Sequence, residues 1–117
     1  MAILECRFLI PNHEDADIGS GDLHPRNRKK KLDRDLYGMF GGWTLSPGYY
    51  EGVYKDPDTG LPIRDKSRQY VIALEEEKIP ELREYLKKVA VEFRQKVVYF
   101  FNGKEVEFIG NPERYPK

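Results

Sequence analysis

The sequence predicts an α+β protein in which an antiparallel β-sheet is covered on one face by two helices. Two segments space their apolar residues as amphipathic helices do, and several others alternate apolar and polar residues as strands do. Two turn sequences, at residues 56–60 and 102–103, are typical of hairpins joining neighbouring strands. At 117 residues the chain is expected to form a single domain over residues 1–117.

A strand, a loop and a helix are predicted for the first forty residues. Side chains alternate over residues 2–10, which is typical of a strand with one apolar face. Residues 11–25 are polar and contain prolines and glycines, so they are expected to form a loop. The next segment places its apolar residues on one helix face until a glycine pair at 41–42 ends the helix. Those apolar residues are Leu32, Leu36, Met39 and Phe40.

Two strands and a second helix follow. Residues 43–54 are expected to form a strand that Pro47 and Gly48 interrupt as a bulge or bend. The turn at 56–60 leads into a third strand, which is clearest over residues 70–74. Pro80 opens the second helix, whose apolar stripe is formed by Leu82, Tyr85, Leu86, Val89 and Phe93.

The C-terminal part is predicted to form a hairpin. Residues 97–101 have no charged side chain and are expected to be covered on both faces. Asn102-Gly103 is a hairpin dipeptide, and residues 106–109 return as a short strand. The complete order predicts a ferredoxin-like βαββαβ antiparallel sheet with two helices on one face and an extra C-terminal hairpin strand.

Short segments from several of these elements together form a sequence pattern. It comprises FGGWT at 40–44, GVY at 52–54, DPDTG at 56–60, DKSRQYV at 65–71, FRQ at 93–95 and VEFI at 106–109. On these residues the chain resembles a family of small prokaryotic proteins with no established activity. The resemblance covers most of the chain after residue 30 and implies a ferredoxin-like fold without implying a reaction.

Composition and charge restrict the class of protein. Twenty basic residues balance twenty acidic ones, which disfavours wholesale binding to a phosphate backbone. The single Cys6 cannot form an internal disulfide, and its apolar neighbours favour a buried, inert thiol. The sequence has neither a signal-peptide pattern nor an apolar stretch of membrane-spanning length, so a cytoplasmic location is expected.

The second face of the sheet is the predicted functional surface. If the helices cover the other face, Glu5 and Arg7 are expected on this one, and the residues that can join them are Trp43, Tyr50, Tyr54, Asp65, Ser67 and Tyr99. These aromatic and charged side chains favour a binding or interaction role, most simply a homodimer formed through this face. Binding or chemistry on a small anionic ligand is the alternative, so whether the chain is an enzyme stays open. The candidate ligand-binding residues are Arg7, Trp43, Asp65, Ser67, Arg68 and Gln95.

A basic segment at the start of the first helix gives a third hypothesis, nucleic-acid binding. Its candidate residues are Arg28, Lys29, Lys30, Lys31 and Arg34. The third strand lacks the aromatic-rich pattern by which RNA-binding sheets of this outline stack bases. A solvated or partner-binding helix face is therefore favoured over nucleic-acid recognition.

No metal or cofactor is predicted. The loop around residues 12–25 contains His13, Glu14 and several aspartates, but their spacing fits neither an EF-hand nor a zinc site. The glycine-rich and nucleophile motifs of nucleotide-binding proteins and hydrolases are also missing.

Overall fold

The computed structural model describes residues 2–14 and 22–113. The strands are β1 Ile3–Pro11, β2 Thr44–Leu45, β3 Tyr50–Lys55, β4 Pro62–Glu75, β5 Val97–Phe101 and β6 Val106–Gly110. The helices are α1 Arg26–Phe40 and α2 Ile79–Glu92, and a short 3₁₀ turn at Glu76–Lys78 precedes α2. All strand pairs are antiparallel, so the predicted α+β class is confirmed.

The strand order differs from the predicted scheme. The strands lie in the order β2-β4-β1-β5-β6, and β3 also pairs with β4. The predicted second strand is split, with Thr44 of β2 opposite Val71 and Tyr50 of β3 opposite Ser67. Pro47 has no N–H to donate and Gly48 has a φ of 73°, so the hydrogen-bond ladder breaks between the two pieces.

β1 lies at the centre of the sheet and pairs with β4 along its whole length. Its side chains Cys6, Phe8 and Ile10 are buried on the helix-covered face. The Phe8 ring stacks on that of Tyr70 in β4, with 5.3 Å between the ring centroids. Burial raises the pKa of the Cys6 thiol to about 11, and the nearby Glu5 charge adds to this. Few thiolates therefore form at neutral pH, as expected of an inert thiol.

Both helices pack on the same face of the sheet and contact each other. Leu32 and Leu36 of α1 are buried with the apolar stripe of α2 in one core. Lys31 Nζ lies 3.1 Å from Glu92 of α2, and the Tyr85 hydroxyl donates to Asp35 at 3.0 Å. Both helices are amphipathic, and among the described residues no helix is long and apolar enough to cross a membrane.

The hairpin of β3 and β4 extends past the end of β1. The last residue of β1, Pro11, pairs with Ser67, whereas β4 begins earlier, at Pro62. Residues 62–66 pair with β3 on one side, but β1 has already ended on the other. We call residues 51–66 the overhanging hairpin. The position of this hairpin therefore depends largely on contacts other than the hydrogen bonds between β1 and β4.

Candidate functional site

The sheet face opposite the helices contains a cavity of about 550 Å³. Its floor is formed by Leu9 and Pro11 of β1 and by Asp65 and Ser67 of β4. The overhanging hairpin supplies one wall through residues 52–55 and Pro57, and Val97, Tyr99 and Phe108 supply the opposite wall. A mainly apolar lining with a few polar groups is typical of small-molecule sites, whose volumes are roughly 300–1,000 Å³.

Asp65 and Ser67 form the polar part of the floor. Strand alternation places both on the open face, opposite Gly52 and Tyr50 of β3. The Ser67 hydroxyl donates to Asp65 Oδ1 at 3.4 Å. A Cβ atom at Gly52 would lie 3.7 Å from the same carboxylate oxygen. That distance is an ordinary van der Waals contact, so position 52 lies directly beside the Asp65 carboxylate.

A buried ion pair joins the overhanging hairpin to the opposite wall. Lys96, which precedes β5, places Nζ 2.9 Å from both carboxylate oxygens of Asp56. Asp56 is 1% exposed, and the backbone N–H of Asp58 donates to its Oδ1 at 2.9 Å. The hydrogen bond from Lys96 lowers the pKa of the Asp56 carboxyl, so this carboxylate is ionised at neutral pH.

Two aromatic rings form the outer edge of the cavity. Tyr99 of β5 and Phe108 of β6 are directly opposite each other, with ring centroids 6.0 Å apart and planes inclined by 77°. Phe108 is 67% exposed, which is unusual for a side chain of this size. The edge thus offers flat apolar surfaces on which a planar ring could stack.

A second polar cluster ties the loop before α1 to the end of α2. The His24 ring contacts Phe93 edge-on, with centroids 4.7 Å apart, and is buried. Arg28 Nη1 lies 3.0 Å from His24 Nδ1 and donates to Glu14 at 2.8 Å. A guanidinium only donates, so Nδ1 is the acceptor and the ring is neutral. Burial, reinforced by the Arg28 charge, lowers the pKa of His24 to about 4.

Of the six predicted ligand-binding residues, Asp65 and Ser67 line the cavity. Arg7 lies on the same sheet face, but its guanidinium stacks over Phe101 at 4.6 Å. Gln95 is 1% exposed, and its amide nitrogen donates to the carbonyl oxygens of His13 and Phe93 at 2.8 and 2.9 Å. Gln95 therefore anchors the loop behind the cavity.

Trp43 and Arg68 lie away from the cavity. Trp43 packs against the core, 5.7 Å from the ring of Tyr70. Arg68 donates to the Ser46 carbonyl oxygen at 3.3 Å and lies 5.1 Å from the centroid of Tyr49. The structure therefore does not bring these two predicted residues together with Asp65 and Ser67. Arg68 is on the other side of the sheet because neighbouring positions of β4 face opposite sides, and Trp43 follows α1 and packs against the core.

The basic residues of α1 are divided between ion pairs and solvent. Arg28 is engaged with Glu14 and His24, and Lys31 lies 2.9 Å from Asp35 and 3.1 Å from Glu92. Lys30 and Arg34 are exposed, whereas Lys29 is partly buried. Nucleic-acid binding through this helix stays a prediction.

Residues 2–14 and 22–113 contain no group of three or more His, Cys, Asp or Glu side chains placed to hold a metal ion. Residues 15–21 of the acidic loop lie outside the described part of the chain. The prediction that this loop binds no metal therefore stays a prediction.

The candidate ligand-binding residues do not include the cavity walls, although Tyr54 and Tyr99 are among the side chains expected on the open face. Residues 97–101 were expected to be covered on both faces, but Tyr99 on the open face is 36% exposed. An apolar strand cannot by itself distinguish a covered face from the wall of a cavity. The Asn102-Gly103 dipeptide locates the turn, but the observed register, which pairs Tyr99 with Phe108, comes from a longer loop over residues 102–105.

This fold occurs in solved structures of phage SAM lyases. The chain is similar to a phage SAM lyase in complex with S-methyl-5'-thioadenosine, with a TM-score of 0.67 and 17% identity over 92% of this chain and 89% of that chain. It is also similar to a phage SAM lyase in the apo state, with a TM-score of 0.61 and 18% identity over 92% and 88% of the two chains. No protein-family profile and no curated protein sequence matches the chain. The similarity shows a shared fold.

Proposed function

We propose that this protein binds a compound of the S-adenosylmethionine class in the cavity on the open sheet face and acts on it as a lyase. The observation that supports this most directly is the fold similarity, over 92% of the chain, to a phage SAM lyase in complex with S-methyl-5'-thioadenosine. The proposal keeps the small-ligand alternative but names a zwitterionic ligand with a sulfonium centre, which suits a cavity lined by both Lys55 and Asp65.

The cavity suits the two chemically different parts of such a ligand. The rings of Tyr99 and Phe108 provide a stacking surface for adenine, and the apolar side chains around them accommodate a thioether. Asp65 provides the negative charge that would attract the sulfonium of S-adenosylmethionine. The product S-methyl-5'-thioadenosine has no sulfonium charge, so Asp65 should distinguish the substrate from the product.

A lyase step that releases S-methyl-5'-thioadenosine breaks the bond between the sulfonium sulfur and Cγ of the methionine part. The sulfur keeps the bonding electron pair and becomes a neutral thioether. The four-carbon fragment then either closes onto its own carboxylate at Cγ or loses a Cβ proton to form an alkene. In the first route Asp65 orients the cation, and in the second it accepts the proton.

Binding of the two compounds by wild type and by Asp65→Asn tests the proposal. Calorimetry should show that Asp65→Asn weakens S-adenosylmethionine binding about tenfold, which corresponds to ~1.4 kcal/mol for one lost charge interaction. Affinity for S-methyl-5'-thioadenosine should change much less, because that compound is uncharged at sulfur. Liquid chromatography should detect S-methyl-5'-thioadenosine when wild type is incubated with S-adenosylmethionine.

Glu51→Gln is the matched control, because Glu51 lies on the same hairpin but faces the other side of the sheet. It should leave both affinities unchanged. A folded wild-type protein that binds neither compound at millimolar concentration would overturn the proposal.

Self-association through the open face is the second candidate, favoured by the exposure of Val106, at 44%, and Phe108, at 67%, beside the cavity. Apolar surface of this kind commonly lies in protein interfaces. Sedimentation velocity should show a homodimer for wild type and a monomer for Phe108→Lys. A wild type that stays monomeric at the highest soluble concentration would contradict this candidate.

We also propose that the sheet is a variant of the ferredoxin-like arrangement. If β2 and β3 are counted as one interrupted strand, the order of the first four strands agrees with that arrangement, and β6 is the extra hairpin strand. We likewise propose that the chain belongs to the prokaryotic family with the FGGWT pattern. A cytoplasmic location is also a proposal.

A further inference from the structure

The overhanging hairpin reaches across the end of β1 to the start of β5. The tip of the hairpin, at residues 56–60, comes directly after β3 in the chain. In the sheet, β4 and β1 lie between β3 and β5. Nevertheless, Asp56 at this tip contacts Lys96, which is 40 positions away in the sequence. The hairpin therefore reaches past the end of β1 toward β5 instead of continuing the sheet outward.

The contact that spans this gap is a buried ion pair. The side chain of Lys96 is 8% exposed and that of Asp56 is 1% exposed. Lys96 Nζ also lies 3.4 Å from Asp58 in the same turn. The neighbours of the pair on both sides, Lys55, Pro57 and Val97, line the cavity. A change in the distance between the partners would therefore move one cavity wall relative to the other.

A buried ion pair adds little to the net stability of a fold. Desolvation of both charges offsets much of their attraction, and a well-packed apolar pair of similar size is often as stable. A buried ion pair with several hydrogen bonds does, however, define the geometry of its two side chains. Few other arrangements of those side chains would satisfy both charges. Asp56 accepts from Lys96 and from the Asp58 backbone N–H, so its position is fixed from two sides.

From these contacts we infer that the Lys96–Asp56 pair is a positioning clasp that holds the overhanging hairpin over the cavity at the separation the ligand requires. This inference rests on the proposed function for the identity of the ligand. Neither residue touches the reacting atoms in this role. They act through residues 52–55 and Pro57, which form the wall.

The double variant Lys96→Met with Asp56→Asn tests the clasp. Removing both charges avoids an unpaired buried charge, and Asn can still accept the N–H of Asp58 that shapes the turn. Lys104→Met is the control, because it removes an exposed ion pair with Glu76 at the other end of the molecule. Both proteins are compared with wild type by hydrogen exchange and by binding of S-methyl-5'-thioadenosine.

The clasp predicts that amides of residues 50–55 exchange at least about tenfold faster in the double variant, while those of α2 do not change. It also predicts an affinity for S-methyl-5'-thioadenosine about tenfold weaker, since an unrestrained wall must be ordered on binding. Unchanged exchange at residues 50–55 would overturn the clasp whether or not the ligand binds. Faster exchange with unchanged affinity would overturn its positioning role. If wild type does not bind the ligand, the proposed function fails, and the positioning role fails with it.

Discussion

Among single residues, His24 is expected to make stability depend on pH. Its pKa is about 4 in the folded protein, because of burial and the Arg28 charge, against an ordinary value of 6.5. Between these values the unfolded chain binds a proton that the folded protein does not, so the free energy of unfolding decreases as pH falls from 6.5 toward 4. At ~1.4 kcal/mol per pKa unit, the loss over the whole window is about 3 kcal/mol.

Urea unfolding at pH 7 and pH 4.5 measures this effect. Between the two pH values the free energy of unfolding should fall by about 2–3 kcal/mol more in wild type than in His24→Gln, because Gln does not titrate. Equal losses in wild type and His24→Gln would contradict the assignment of a neutral, buried His24.

Among the elements, the hairpin of β5 and β6 depends on Gly103. Its φ of 95° is in the left-handed region, and a Cβ there would lie 2.8 Å from Leu4 Cβ. Gly103→Ala combines backbone strain with this clash and should lower the free energy of unfolding by about 1–3 kcal/mol. Chemical denaturation measures the change. Gly110→Ala, where a Cβ meets nothing within 4 Å, is the control. A loss at position 103 no larger than the control's would contradict this explanation.

The elements also show how far the sequence determines the structure. Helix ends and tight turns follow from local chemistry, so Gly41, where α1 ends, and the Asn102-Gly103 turn could be located in advance. The face of each strand residue depends on register, so the candidate ligand-binding residues include Arg68 beside Asp65, although Arg68 points away from the cavity. The contact between Lys96 and Asp56 depends on how the hairpin bends, and no local pattern encodes that bend.

Across the whole molecule, ionised carboxylates that accept hydrogen bonds from Lys and Arg should make stability fall in acid. Hydrogen bonds from Lys31 and Arg83 lower the pKa of Asp35 and Glu107, respectively, and Lys96 does the same for Asp56. A lowered folded pKa contributes stability above the unfolded value, near 4, that is lost as pH falls through the folded value. Asp33 opposes this trend, because burial raises its pKa. The three lowered values act below the window in which His24 acts.

Glu107→Gln should reveal this lower window. Arg83 donates to both oxygens of Glu107 at 2.7 Å and thereby ties α2 to β6. Losing the charge should lower the free energy of unfolding by about 1–2 kcal/mol at pH 7, as expected for a partly buried, charge-assisted pair. Denaturant titrations between pH 7 and pH 2.5 should show the gap to wild type closing below pH ~4, as wild-type Glu107 also becomes protonated. Glu84→Gln removes an exposed ion pair with Lys87, and its free energy of unfolding should stay close to that of wild type at every pH. A gap for Glu107→Gln that persists unchanged at the lowest pH would mean that lost packing, and not charge, causes it.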